Sequence, residues 1–438
     1  MFAGAVAIGF SACNGDDDGN DPVPTNPNDH VLTGEVSANK TLTNDKPWTL
    51  KGYVYVKSGA TLTIPAGTII KSDVTEKGAL IVERGGKLMA EGSAASPIVF
   101  TSGLPKGQRR PGDWGGIILL GKAPTNRATE PTIEGGVNRN YGGNDANDNS
   151  GILKYVRIEF AGIAASPGSE INGLTLGGVG AGTTIENVMV SYGNDDAYEF
   201  FGGTVNCKNM IAFATSDDDF DFDFGYTGSI QFAIVAKHPQ FADPGDASNG
   251  IECDNDGTGT TVTPFTHPKL SNFTFVGPNG RSNTQANHNF ANRWRRSAHF
   301  TLRNSILIGF QKGGFSMESA ETGTSYTSGT SEFKNNLVHA IAKPFYANSG
   351  SGLTDGDIET KALSQGCVKL DSAAQAMLTD PFSTTAPNFV PKAGSMALTG
   401  VDFTGLSSWF SVVTYKGAMG TTDWTAGWTN WDPNSTDY

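Results

Sequence analysis

The chain has 438 residues, 37% of them hydrophobic, enough for one large domain or two smaller ones with a real core, which excludes disorder throughout. A net charge of −13 and a pI near 4.9 repel nucleic-acid phosphate and exclude a nucleic-acid partner. The 56 glycines follow no Gly-X-Y period and separate short runs rich in Val, Ile, Thr and Phe, so many short strands joined by tight turns are predicted.

The opening run MFAGAVAIGFSAC is apolar, built of small residues and too short to span a bilayer, as at the end of a secretory signal over residues 1–12. Phe10, Ser11, Ala12 and Cys13 resemble the lipobox of bacterial lipoproteins, which are cut before the cysteine and lipidated on its thiol. The resemblance implies lipidation at Cys13 and attachment to the membrane by a lipid anchor only. The following NGDDDGNDPVPTNPND has almost no apolar side chains and predicts a flexible tether within 13–44, at the entry to the cap. It resembles the acidic signal of surface-exposed lipoproteins of the Bacteroidota, which implies an exported outer-membrane lipoprotein facing out of the cell. A plain solvated linker is the alternative. In an exported chain Cys207, Cys253 and Cys367 allow at most one bridge, with Cys207–Cys253 the favoured pair.

Further along, ValLysSerGlyAlaThrLeu from Val56 and ValGluArgGlyGlyLysLeu from Val82 repeat at a spacing of 26. A second phrase, a polar residue that is usually Asn followed by a strand, starts at Glu186, Lys208, Gln231, Ser271, Arg303 and Lys334. Its first copies lie 22 and 23 residues apart. Strand-rich units of about 20–30 residues predict a solenoid, and specifically a parallel β-helix over 45–345 with loop insertions. The stretches 61–71 (TLTIPAGTIIK), 79–92 (ALIVERGGKLMAEG), 97–102 (PIVFTS) and 112–117 (GDWGGI) resemble the right-handed β-helix lipoproteins of Bacteroidota that share the pectin-lyase-like fold, mostly of unknown function. The expected fold class is therefore an all-β, right-handed parallel β-helix. Residues 346–438 are expected to form an extended C-terminal segment with a short helix at 371–378. There Trp424, Trp428 and Trp431 make a cap or lateral wrap rather than a sugar platform.

The acidic run SDDDFDFDFG, 216–225, is read on this frame. Strand alternation puts Phe220, Phe222 and Phe224 inside the coil and Asp219, Asp221 and Asp223 outside. A 22-residue offset places Asp195 and Asp196 over Asp217 and Asp218, and Glu199 over Asp221. Like charges on adjacent rungs, about 4.8 Å apart, repel. Either a hard cation held by Asp195, Asp196, Glu199, Asp217, Asp218 and Asp221 offsets this, calcium being the choice outside the cell, or solvent, Lys237 and nearby arginines do. The second acidic knot, 250–257, could extend the same face or form a turn, the turn being favoured, and 177–182 (GGVGAG) is a turn without phosphate-loop character.

Enzymes with the resembled fold often cleave acidic polysaccharides by β-elimination, using calcium and an Arg or Lys base. Arg293, Arg295 and Arg296 offer such groups, and Trp294 a ring for a sugar; the alternative is that these arginines neutralise the acidic rungs and the tryptophan packs. No residue set at a recognisable catalytic spacing is found. The sequence thus predicts a lipid-anchored surface protein that binds a ligand or partner without catalysis, the partner being a glycan or, by family analogy, outer-membrane uptake proteins. A calcium-dependent polysaccharide lyase or hydrolase is the second reading, and a structural or adhesive surface protein the third.

Overall fold

In the computed structural model, which describes residues 30–166 and 169–438, the recurrent asparagine of the repeat is a corner. Asn187, Asn209, Asn272, Asn304 and Asn335 all lie in the left-handed region, with φ between 52 and 59°. A short amide tolerates this conformation better than almost any other side chain with a Cβ. The chain therefore bends without losing its ladder. Thr184–Ser191, Asn206–Phe213, Ser229–Ala236 and Lys269–Val276 each run through one such left-handed corner, held in Ser229–Ala236 by Phe232 instead of Asn, and pair in parallel with the next copy.

Stacked copies form a right-handed parallel β-helix in which 26 strands make a single sheet. The coil begins earlier than predicted, at Val31–Val36, which pairs with Trp48–Val56, and runs past residue 345 to Val368–Lys369, which pairs with Leu337–Ala340. Cys13, the signal segment and most of the tether lie outside the described residues. Inward-facing residues stack on themselves from rung to rung: Leu174, Tyr198, Phe220 and Ile251 form one column, and Leu176, Phe200, Phe222, Cys253, Trp294 and Met317 another. The rings of Tyr198 and Phe220 are 4.9 Å apart, those of Phe200 and Phe222 5.0 Å. Such offset contacts add to the burial of large apolar area. Cys207, Cys253 and Cys367 are free thiols buried in this structure, so the Cys207–Cys253 bridge does not form.

One expectation for the C-terminal part is corrected. The α-helices are Ala320–Ser328 and Asp355–Ser364, capped by Ser319 and by a Thr354/Asp357 capping box, whereas 371–378 contains only a 3-10 turn, Ala373–Ala376. Local alanine content favours a helix, but short helices are marginal without packing, and here Met377 at φ 52° turns the chain into a strand, Leu378–Asp380. The tryptophans form a lateral wrap. Trp428 packs edge-on against Tyr155 at 5.7 Å and Trp431 against Phe213 at 5.0 Å, so the final stretch runs back along the outside of the coil.

Candidate functional site

One outward column crosses the coil at constant register: Ile81, Ile118, Thr175, Glu199, Asp221, Glu252, Arg293 and Ser316. Its apolar beginning is covered by the insertion after Leu120, whose Ile133, Val137 and Tyr141 pack on it. The cover ends where the column turns acidic. Glu134 of that insertion and Asn172 meet Glu199 there, with the Asn172 amide donating to Glu199 and, at 3.4 Å, to Glu134.

The strands supply Glu199, Asp221 and Glu252; the corners before them supply the aspartate pairs. Asp196 Oδ1 accepts the Asp218 N–H at 2.9 Å, and Asp218 Oδ1 accepts the Asn249 N–H at 2.5 Å, so successive corners are chained by carboxylates. This brings five of the six predicted metal residues into two sets. Asp195, Asp196 and Asp217 have ligand oxygens within 4.8 Å of one another, and so do Asp196, Glu199 and Asp221. Asp196 belongs to both. Asp218 lies beside them and belongs to neither, one of its oxygens being taken by Asn249.

The electrostatics follow from this crowding. Burial first, then the neighbouring carboxylates, push Asp195, Asp196, Glu199 and Asp221 well above the ordinary carboxylate range. Asp217, Asp218 and Glu252 are each pushed up to about 8, again mainly by burial. Asp221 keeps some contact with solvent as a residue, yet its Oδ1 is shut off without a hydrogen-bond partner among the described residues. An all-carboxylate donor set containing an orphaned buried oxygen suits a hard cation such as calcium.

Three placements differ from expectation. Phe224 leaves the coil because the strand stops at Asp223 and Phe224 takes φ 50°; its ring stacks outside on Phe201 and lies 4.5 Å below the Arg127 guanidinium. Asp219 faces inward, since it belongs to the corner and strand alternation does not reach it. It is fully buried with Lys237 at 3.0 Å and accepts from the Thr215 hydroxyl at 2.5 Å. The knot at 250–257 is not only a turn: Ile251–Cys253 is a strand that adds Glu252 to the acidic column.

The arginine group sits at the far end of the column. Arg293 bridges Glu252 (2.9 Å) and Glu318 (2.8 Å), Arg295 bridges Glu252 and Asp254 (2.8 Å), and Arg296 pairs with Asp254 (2.6 Å). Trp294 is fully buried in the coil, stacked 4.4 Å from Phe300, and so offers no face to a sugar. Its position follows from alternation, which turns Trp294 inward when Arg293 points out.

Residues 34–429 match the family described as the pectate-lyase like beta helix domain. A crystal structure of pectate lyase Pel9A is similar over 86% of this chain and 88% of that one, at 11% identity and a TM-score of 0.37. No curated protein matches. With 34–429 spanning most of the 438 residues, the chain belongs to the pectate-lyase-like β-helix family.

Proposed function

We propose that the acidic column binds calcium and, through it, an anionic glycan that the protein holds without cleaving. The observation that carries this reading is the sharing of Asp196 between two carboxylate triads. Bound there, calcium would neutralise the carboxylates and leave coordination positions for the acid groups of a uronic-acid polymer. The chain's own residues support binding over cleavage. Of the three arginines offered as a base, Arg293 and Arg295 are each bridged between two carboxylates and Arg296 is paired with Asp254, and Lys237 is fully buried against Asp219.

In titration calorimetry the full chain is expected to bind polygalacturonate or alginate oligomers only with calcium present, and Asp196→Asn to weaken binding at least tenfold. Equal affinity with chelator rejects the reading. No unsaturated product is expected to accumulate; product whose release disappears in Arg295→Ala would replace binding by the lyase reading.

The same proposal places the protein at the cell surface, on a lipid carried by Cys13, where the bound glycan would be available to outer-membrane uptake proteins. The FSAC run and the acidic stretch after it support this. Labelled palmitate is expected in the wild type and not in Cys13→Ala; equal labelling rejects the anchor.

A further inference from the structure

Away from the acidic column, the wrap leaves a cavity of about 440 Å³ against the coil, lined among others by Asn209, Phe232, Tyr415, Thr421, Thr422 and Trp424. Its volume falls in the range of small-molecule sites, about 300–1,000 Å³. None of the residues that line it is charged, in a chain whose net charge is −13. The rings of Phe232, Tyr415 and Trp424 are only partly buried. The Asn209 amide makes no side-chain hydrogen bond among the described residues, as at the Asn187 and Asn335 corners but unlike the Asn272 and Asn304 amides, which donate to the Tyr415 and Asp402 carbonyls; the hydroxyls of Thr421 and Thr422 are exposed and likewise make none there.

Phe232 is the unusual member. It stands at the corner that Asn occupies in the rungs on either side, Asn209 and Asn272, and takes φ 63° there. A bulky aromatic residue is an outlier in that region, and such outliers collect at ligand sites. Tyr155 holds the equivalent corner at φ 50°, but its ring is occupied by the edge-on contact with Trp428. Phe232 meets Tyr415 at 6.2 Å, tilted by 34°, and still lines the cavity.

From this we infer a second glycan subsite, for an uncharged sugar: Phe232, Tyr415 and Trp424 receive its C–H faces, and the free amide and hydroxyls receive its hydroxyl groups. An amphipathic ligand is what rings with unpaired polar neighbours fit, and the lack of charge separates it from the anionic ligand of the acidic column. The site does not depend on calcium or on the column.

The test is titration of the full chain with cellohexaose, xylohexaose and mannohexaose, followed by calorimetry and by intrinsic tryptophan fluorescence, with Trp424→Phe showing how much of the change comes from Trp424. At least one hexaose is expected to bind and change the emission, with affinity reduced tenfold or more by Phe232→Asn and by Tyr415→Ala. It should be unchanged by chelator and by Asp196→Asn, which separates this site from the acidic column. Phe232→Asn restores the residue used at neighbouring corners, so its melting temperature is expected to hold or rise. No binding of the three sugars at millimolar concentration overturns the inference. So does binding indifferent to both substitutions, or a Phe232→Asn variant that melts earlier with unaltered sugar affinity, which would make Phe232 an anchor for the wrap.

Discussion

Without calcium, the melting temperature is expected to fall as pH rises from about 4 toward about 8, and millimolar calcium is expected to reverse the loss at the upper end. Unfolded, Asp and Glu titrate at about 3.9 and 4.3. Folded, Asp217, Asp218 and Glu252 keep their protons up to about 8. Between those limits the folded chain binds more protons than the unfolded one, so stability declines as protons leave. The contribution of these groups is complete below their unfolded pKa values and gone above the folded ones. Because the carboxylates titrate together, their contributions do not add as independent groups.

Calcium competes with the same protons, and its affinity therefore rises with pH. At a hundredfold excess over Kd, binding to the native state adds about 2.7 kcal/mol, or a few degrees for a chain of this size. Asp196→Asn removes the ligand common to both triads. It is expected to lose more of the calcium response than Asp195→Asn or Glu199→Gln, each of which touches one triad. It should also raise the calcium-free melting temperature at pH 8, since one of several repelling carboxylates is gone. Scanning fluorimetry at matched ionic strength reads both effects. A melting temperature indifferent to calcium at pH 8 would leave the column as a face balanced by Arg293, Arg295 and Arg296.

Much of this arrangement was legible in the sequence because a β-helix repeats its register. The 22-residue offset placed Glu199 over Asp221, and the ladder pairs them, with Tyr198 on Phe220 and Phe200 on Phe222 at the same offset. Glu252 lay within reach of the same reasoning, but the loop inserted before Ile251 stretches the offset to 31 residues and hides the match. Glu134 carried no signal. It arrives from an insertion whose path is set by the apolar patch around Ile81 and Ile118, and only tertiary packing brings it to Glu199. Period-two reasoning failed at both ends of the strand Phe220–Asp223, because Asp219 and Phe224 belong to corners. The helix Ala320–Ser328 escaped notice for a different reason: its sequence, AETGTSYTS, shows no apolar stripe, and it is fixed by the Ser319 cap and by the burial of Tyr326.

The largest loss of stability is expected from Lys237→Met. Lys237 and Asp219 are fully buried and 3.0 Å apart, and the same ammonium donates to the Asp217 carbonyl at the corner that carries the aspartate pair. Removing one partner of a buried pair strands the other, at a cost of about 3–5 kcal/mol. The stranded group can limit that cost by taking a proton. Asp219 is already pushed up to about 6 by burial although Lys237 and the Thr215 hydroxyl pull it down. Without Lys237 its pKa must rise further, so at pH 8 the variant has to bind a proton that is scarce, whereas at pH 5 the proton is at hand. The deficit in melting temperature is therefore expected to be greatest at high pH and to shrink as pH falls. Asp219→Asn added to Lys237→Met should recover a large part of it, because the neutral amide keeps the Thr215 hydrogen bond without a buried charge. A deficit that is the same at pH 5 and pH 8, and that Asp219→Asn does not relieve, would mean that Lys237 acts through its contact with the Asp217 carbonyl and the packing of its stem. In that case the corner, not the charge pair, would be what the lysine holds, and the calcium response should disappear in both variants alike.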